Sequence, residues 1–200
     1  MTRATGAPSS VTLDRHGWLR LTAGVERRPS PNHDHRPAGM DVSLLVIHNI
    51  SLPPGEFGGR YIADLFQNTI DLDAHPWFVN LAGLRVSAHF LIRRDGHIAQ
   101  FVSTDHRAWH AGVSQFAGRE RCNDFSIGIE LEGTDTLPYT DAQYATLGVL
   151  TPVLNARYPL RAVRGHDEIA PARKTDPGPA FEWRRFADVT GTPRRYLGGR

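Results

Sequence analysis

The segment Ser43-Leu44-Leu45-Val46-Ile47-His48 constrains this chain more than any other. Four consecutive aliphatic side chains read as a buried strand, and the strand ends in a polar residue, His48. The loop that follows, residues 49–59, carries Pro53-Pro54-Gly55 and Gly58-Gly59, which break regular structure. A buried strand needs neighbours and covering layers, and the remaining sequence offers both. Ser126 to Glu132 alternates with period two, so Ile127, Ile129 and Leu131 face one way and Gly128, Glu130 and Glu132 the other. Arg85 to Ile92 and His97 to Val102 flank Asp95-Gly96, a two-residue hairpin signal. Arg161 to Arg164 supplies one more short strand.

Helices are marked in three places. Arg60 to Asn68 sets Ile62, Leu65 and Phe66 on one face. Thr140 with Gln143 forms a capping box, opening a helix that runs to about Arg157 and stops at Pro159. Phe181 to Val189 forms the last. Between them, Ala170 to Ala180 carries three prolines and is an irregular loop. Two hundred residues suit one domain. The pattern predicts a single α/β domain, a central mixed β-sheet flanked by α-helices.

Net charge is +2 and no basic stripe interleaved with aromatics occurs, so nucleic acid is not an expected partner. The apolar runs are too short to span a membrane. Met1 to Ser10 lacks the apolar core of a secretory signal, so cytoplasmic residence is expected. The single cysteine, Cys122, excludes an internal disulfide. No feature marks an obligate protein partner. Apart from Lys174, every fixed positive charge is an arginine. A coding bias accounts for most of this, but a site needing a compact ammonium would resist replacement by a planar guanidinium.

Three positions stand out as metal ligands: His48 at a strand end, His166 after a strand and a glycine, and Asp176 in the proline-rich loop. Two imidazoles and a carboxylate are a usual set for catalytic zinc, leaving a fourth position for water. Ten histidines offer many such triples, however, and a strand-end histidine is often just hydrogen-bonded. His33-Asp34-His35 is dense in ligand types but reads as a solvated turn. His106 and His110 have helical spacing, yet Trp109 and Gly112 argue against a shared metal. Glu130 lies on the polar side of an apolar strand, where an unpaired charge is costly; an arginine partner is the structural alternative. Lys174 and Asp176 are two apart, so in an extended segment their side chains share one side.

Several stretches together resemble a known family: Leu45 to Gly59, Arg85 to His89, Arg107 to Gly112, Ser126 to Gly133 and Ala170 to Gly178. They resemble the type 2 amidase and peptidoglycan-recognition superfamily, and within it the cytoplasmic 1,6-anhydro-N-acetylmuramyl-L-alanine amidases. The resemblance covers roughly Gly17 to Arg185. It implies a zinc amidase domain over residues 17–189, with 1–16 as an N-terminal extension; residues 190–200, at the chain end, are expected to fray. It implies one Zn2+ held by His48, His166 and Asp176, Glu130 as general base, and Lys174 as oxyanion stabiliser. A groove for a small muropeptide is expected at Asn49, Arg85, Trp109, His110 and Arg121.

The implied reaction is hydrolysis of the amide between the lactyl group of muramic acid and L-alanine, in peptidoglycan recycling. Two alternatives stay close to the family: a muropeptide-binding module without catalysis, and an amidase acting on intact periplasmic wall. A glycosidase using Glu130 and Glu132 fits poorly, because both would lie on one strand face. The glycines of residues 49–59 predict a loop with open and closed states.

Overall fold

The structure, a computed structural model, describes residues 6–198. Among the described residues there are ten strands: β1 (Val25–Arg27), β2 (His33–His35), β3 (Leu44–Ile50), β4 (Phe90–Ile92), β5 (Ile98–Gln100), β6 (His106–Ala108), β7 (Gln115–Phe116), β8 (Arg119–Glu120), β9 (Ser126–Glu132) and β10 (Ala162–Gly165). Four α-helices accompany them: α1 (Tyr61–Phe66), α2 (Asp141–Arg157), α3 (His166–Ile169) and α4 (Trp183–Thr190).

Six strands form one sheet in the order β1-β5-β4-β9-β3-β10, parallel except where the hairpin β4-β5 turns back. This is the expected mixed α/β architecture. The long central pair, β3 and β9, is fully sandwiched, as continuous apolar runs require. On one face Leu45, Ile47, Ile127, Ile129 and Leu131 pack with Leu147, Leu150 and Leu154 of α2 and Phe186 of α4. On the other, Leu44 and Val46 meet Cys122 and Phe125, while Leu91 and Ala99 meet Phe66 and Phe78. The capping box of α2 forms as expected: Thr140 Oγ1 accepts from the Gln143 amide, and Gln143 Oε1 accepts from the Thr140 amide.

Several boundaries differ from expectation. His33–His35 is not a solvated turn; it pairs antiparallel with β6, because Arg107 on β6 binds Asp34 through both carboxylate oxygens at 3.0 Å. The tail is not frayed where it is described. The Gly198 amide donates to the Val163 carbonyl and Arg164 holds the Tyr196 carbonyl, so residues 190–198 close over the β10 edge. The N-terminal extension likewise joins the fold from Gly6, with Val11 in the main core and Leu13 bridged to Leu19. Met1 to Thr5 lie outside the described residues.

Leu150 is fully buried between α2 and the sheet. Leu150→Ala should lower unfolding free energy by about 2–5 kcal/mol, read from the urea midpoint at unchanged m.

Candidate metal centre

All the parallel strands of the sheet's centre end on the same side, and the polar residues that follow their apolar runs collect there. Parallel pairing sets His48 of β3 directly beside Glu130 of β9. β10 delivers His166 through Gly165, and the loop after α3 brings Asp176 back, with the Asp167 amide donating to the Asp176 carbonyl. The three ligand atoms form a nearly equilateral triangle. His48 Nδ1 and His166 Nδ1 are 3.0 Å apart, and each is 3.1 Å from Asp176 Oδ2.

Hydrogen bonds behind the two rings fix what they present to each other. Ser126 Oγ donates to the Cys122 carbonyl at 2.6 Å, so it must accept from His110 Nε2 at 3.2 Å. His110 Nδ1 is therefore bare and accepts from His48 Nε2 at 2.9 Å. The proton of neutral His48 is thus on Nε2, and its Nδ1 lone pair faces the cluster. His166 does the same by donating from Nε2 to the Ala111 carbonyl at 3.1 Å. Two lone pairs and a carboxylate oxygen converge with no donor among them. Such an arrangement is repulsive alone and fits a cation, with the partners behind each imidazole that bound metals ordinarily have.

The electrostatics agree. Burial lowers the His48 pKa to about 4, outweighing its contact with Asp176, so the ring stays neutral as a ligand must. Burial works against ionisation of Asp176, but the contacts with His166 and His48 prevail and hold its carboxyl below the usual carboxylate range. Glu130 is driven the other way. Burial pushes its pKa well above the ordinary value, the Asp176 charge adds to this, and the Lys174 ammonium opposes it. Its Oε2 is enclosed without a hydrogen-bond partner, so no arginine neutralises it. Glu132, by contrast, is occupied: it accepts from the Gly58 and Arg94 amides and cannot serve as a second catalytic carboxylate.

A cavity of about 540 Å³ borders the cluster at Asp176, lined among others by Asn49, Ser51, Asp135 and Lys174. Asn49 is held in place, donating to Asp135 and to the Pro177 carbonyl. Lys174 is exposed on the cavity wall. Arg121 lines an adjoining cavity, and Arg173 belongs to the walls of both. Trp109 is half-buried with its indole N–H unpartnered. Arg85 is exposed and borders neither cavity; its guanidinium donates to the Leu84 carbonyl. His110 departs from the expected groove position. Its ring is buried behind His48 with both nitrogens engaged, because Gly128 leaves room that a Cβ, 2.5 Å from His110 Cγ, would fill. Sequence reading missed Ser126 and this use of Gly128, although a glycine on the polar side of a strand does signal a close approach.

A buried His/His/Asp cluster beside a desolvated carboxylate, at the carboxyl ends of parallel strands, is the donor arrangement of a metal-dependent hydrolase. Over residues 38–179 the chain matches the family described as N-acetylmuramoyl-L-alanine amidase, and it belongs to that family. It is 64% identical over 172 residues to the 1,6-anhydro-N-acetylmuramyl-L-alanine amidase AmpD of Citrobacter freundii, spanning 85% of this chain and 90% of that protein. A crystal structure of a selenomethionine AmpD derivative superposes with a TM-score of 0.84 at 62% identity, over 88% of this chain and 98% of that one. The amidase AmiD of E. coli is 29% identical with a TM-score of 0.55, over 91% of this chain and 66% of that one. Its structure is a complex with the substrate anhydro-N-acetylmuramic acid-L-Ala-D-gamma-Glu-L-Lys.

Two outcomes follow for the protein. Ser126→Ala removes the acceptor that fixes the His110 and His48 tautomers, and should weaken metal affinity about 10- to 100-fold with the fold intact, measured by competition with a chromophoric chelator. In the metal-free protein, the folded state resists protonating His48 between its ordinary pKa of 6.5 and about 4, while the unfolded chain accepts that proton. This contribution to stability is therefore present above pH 6.5 and lost as pH falls towards 4, which urea midpoints across that range would show.

Proposed function

We propose that this chain is a zinc-dependent amidase that cleaves the amide between the lactyl group of 1,6-anhydro-N-acetylmuramic acid and L-alanine of the stem peptide. The observation that carries this reading is the convergence of three acceptors from His48, His166 and Asp176 next to the unpartnered carboxyl of Glu130. Nitrogen and oxygen donors in this number suit zinc. When bound there, zinc supplies a Lewis acid that acidifies water and polarises the scissile carbonyl.

The protein's own groups supply the rest. Glu130, which a dication held beside it would keep ionised, takes the proton of the attacking water and returns it to the leaving alanine nitrogen. Lys174 lines the same cavity as Asp176, two residues along the chain, and its ammonium stabilises the oxyanion. Asn49 positions substrate in the cavity above Asp176, and Arg121 with Arg173 suits the carboxylates of a stem peptide in the adjoining cavity. Trp109 offers a flat apolar wall for the sugar, and exposed Arg85 reaches substrate only from beyond these cavities. His110 orients His48 from behind.

The anhydromuramyl substrate rests on the likeness to AmpD and on the ligand held by AmiD. Cytoplasmic recycling of wall fragments is the setting this implies, and no helix among the described residues is long and apolar enough to cross a membrane.

Mass spectrometry of chelator-treated protein with anhydromuramyl tripeptide should show free tripeptide only after zinc is restored. Absence of cleavage with zinc present would move the function to a muropeptide-binding module. Glu130→Gln should keep stoichiometric zinc and lose about 10²- to 10⁴-fold in kcat; full turnover in that variant removes Glu130 from the mechanism.

A further inference from the structure

The Asn49 side chain joins the three segments that carry Glu130, His48 and Asp176. It follows His48 at the end of β3. Its amide nitrogen donates to Asp135 Oδ1 at 2.8 Å and to the Pro177 carbonyl at 3.2 Å. Asp135 stands in the loop that leaves β9 beyond Glu130, and Pro177 directly follows Asp176.

These contacts decide which end of the amide faces the cavity. A carboxylate and a peptide carbonyl accept hydrogen bonds and give none, so only the nitrogen can be turned towards them. Both of its hydrogens are then committed. What Asn49 keeps for the cavity it lines is Oδ1, an acceptor. The two partners are themselves held. The Asp135 carbonyl accepts from the Ala180 amide at 3.0 Å, and Gly178 packs so closely that a Cβ there would lie 2.4 Å from Asp135 Cα. Gly178 also has φ +75°, so this approach calls for glycine twice over. The buried Tyr139 donates its hydroxyl to the same Pro177 carbonyl at 2.8 Å. Two anchored acceptors leave the Asn49 amide one orientation.

We infer that Asp135 is a positioning residue: it turns the Asn49 amide so that Oδ1 receives an N–H or O–H of the ligand. This rests on the amidase reading for the identity of the ligand, whereas the polarity of the amide does not. An acceptor here selects a ligand that brings a donor, and a site built around such a bond discriminates strongly against a ligand lacking it. The stem peptide of a muropeptide supplies amide N–H groups of this kind. Asp135 lines the same cavity, so the rival role is direct contact with the ligand. The two roles differ in one respect: a residue that acts through Asn49 has nothing left to contribute once Asn49 is removed.

The test is a double-mutant cycle on zinc-loaded protein with anhydromuramyl tripeptide. Asp135→Ala and Asn49→Ala should each lower kcat/KM about 10- to 100-fold, and the double variant should lose no more than Asn49→Ala alone. Asp135→Asn keeps an oxygen that can accept from Asn49 and should recover most of the loss. The same cycle is read as Kd for that tripeptide in the Glu130→Gln background, where the ligand persists. If Asp135→Ala loses its fold by circular dichroism, Asp135→Ser, whose hydroxyl falls short of the Asn49 amide, takes its place with the same expectation. Losses that add in the double variant, wild-type kcat/KM and Kd in Asp135→Ala, or no recovery in Asp135→Asn would overturn the inference. An intact cycle in Kd with no cleavage by wild type would support it and count against the amidase reading alone.

Discussion

The parallel pairing of β3 with β9 is the constraint on which the rest of this structure depends. It buries the longest apolar runs of the chain against each other, and its register sets His48 beside Glu130 at the point where both strands leave the core. Hydrophobic burial of roughly 1.5–3 kcal/mol per large aliphatic side chain pins that register, since a one-residue slip would turn Ile127, Ile129 and Leu131 away from α2 and put Glu130 and Glu132 into that apolar layer. The same slip would separate His48 from Glu130. Stability and chemistry are thus coupled through one ladder.

Around that pair, the site is organised by hydrogen bonds that run in one direction. From the Cys122 carbonyl through Ser126 and His110 to His48, each group's donor is committed, and the last free lone pair is delivered to the cluster. His166 is committed in the same way by Ala111. The two imidazoles that face Asp176 are therefore preorganised by groups packed behind them, and the glycine at position 128 is what allows the relay to fit inside the sheet's covering layer.

Charge is divided with equal economy. Two carboxyl groups share one small volume, and their environments push them apart: contacts with the imidazoles hold Asp176 ionised, whereas burial without a partner favours the protonated form of Glu130. One is suited to holding a cation and the other to exchanging a proton. The charge of Lys174, the only lysine in the chain, adds to burial in lowering the His48 pKa and opposes burial at Glu130.

The sequence by itself determined the elements and the chemistry of their ends. The aliphatic run before His48, the alternation around Glu130 and the capping box at Thr140 each rest on local periodicity or local hydrogen bonding, so β3, β9 and α2 could be read directly. What only the tertiary structure decided are relations between distant segments. His33-Asp34-His35 became a strand because Arg107, far along the chain, holds Asp34. His110 left the groove because Gly128 opened space behind His48. The tail and the N-terminal extension packed down because β10 and the core offered carbonyls and apolar surface to them. None of these contacts has a sequence period, because each depends on which surfaces the folded sheet brings together.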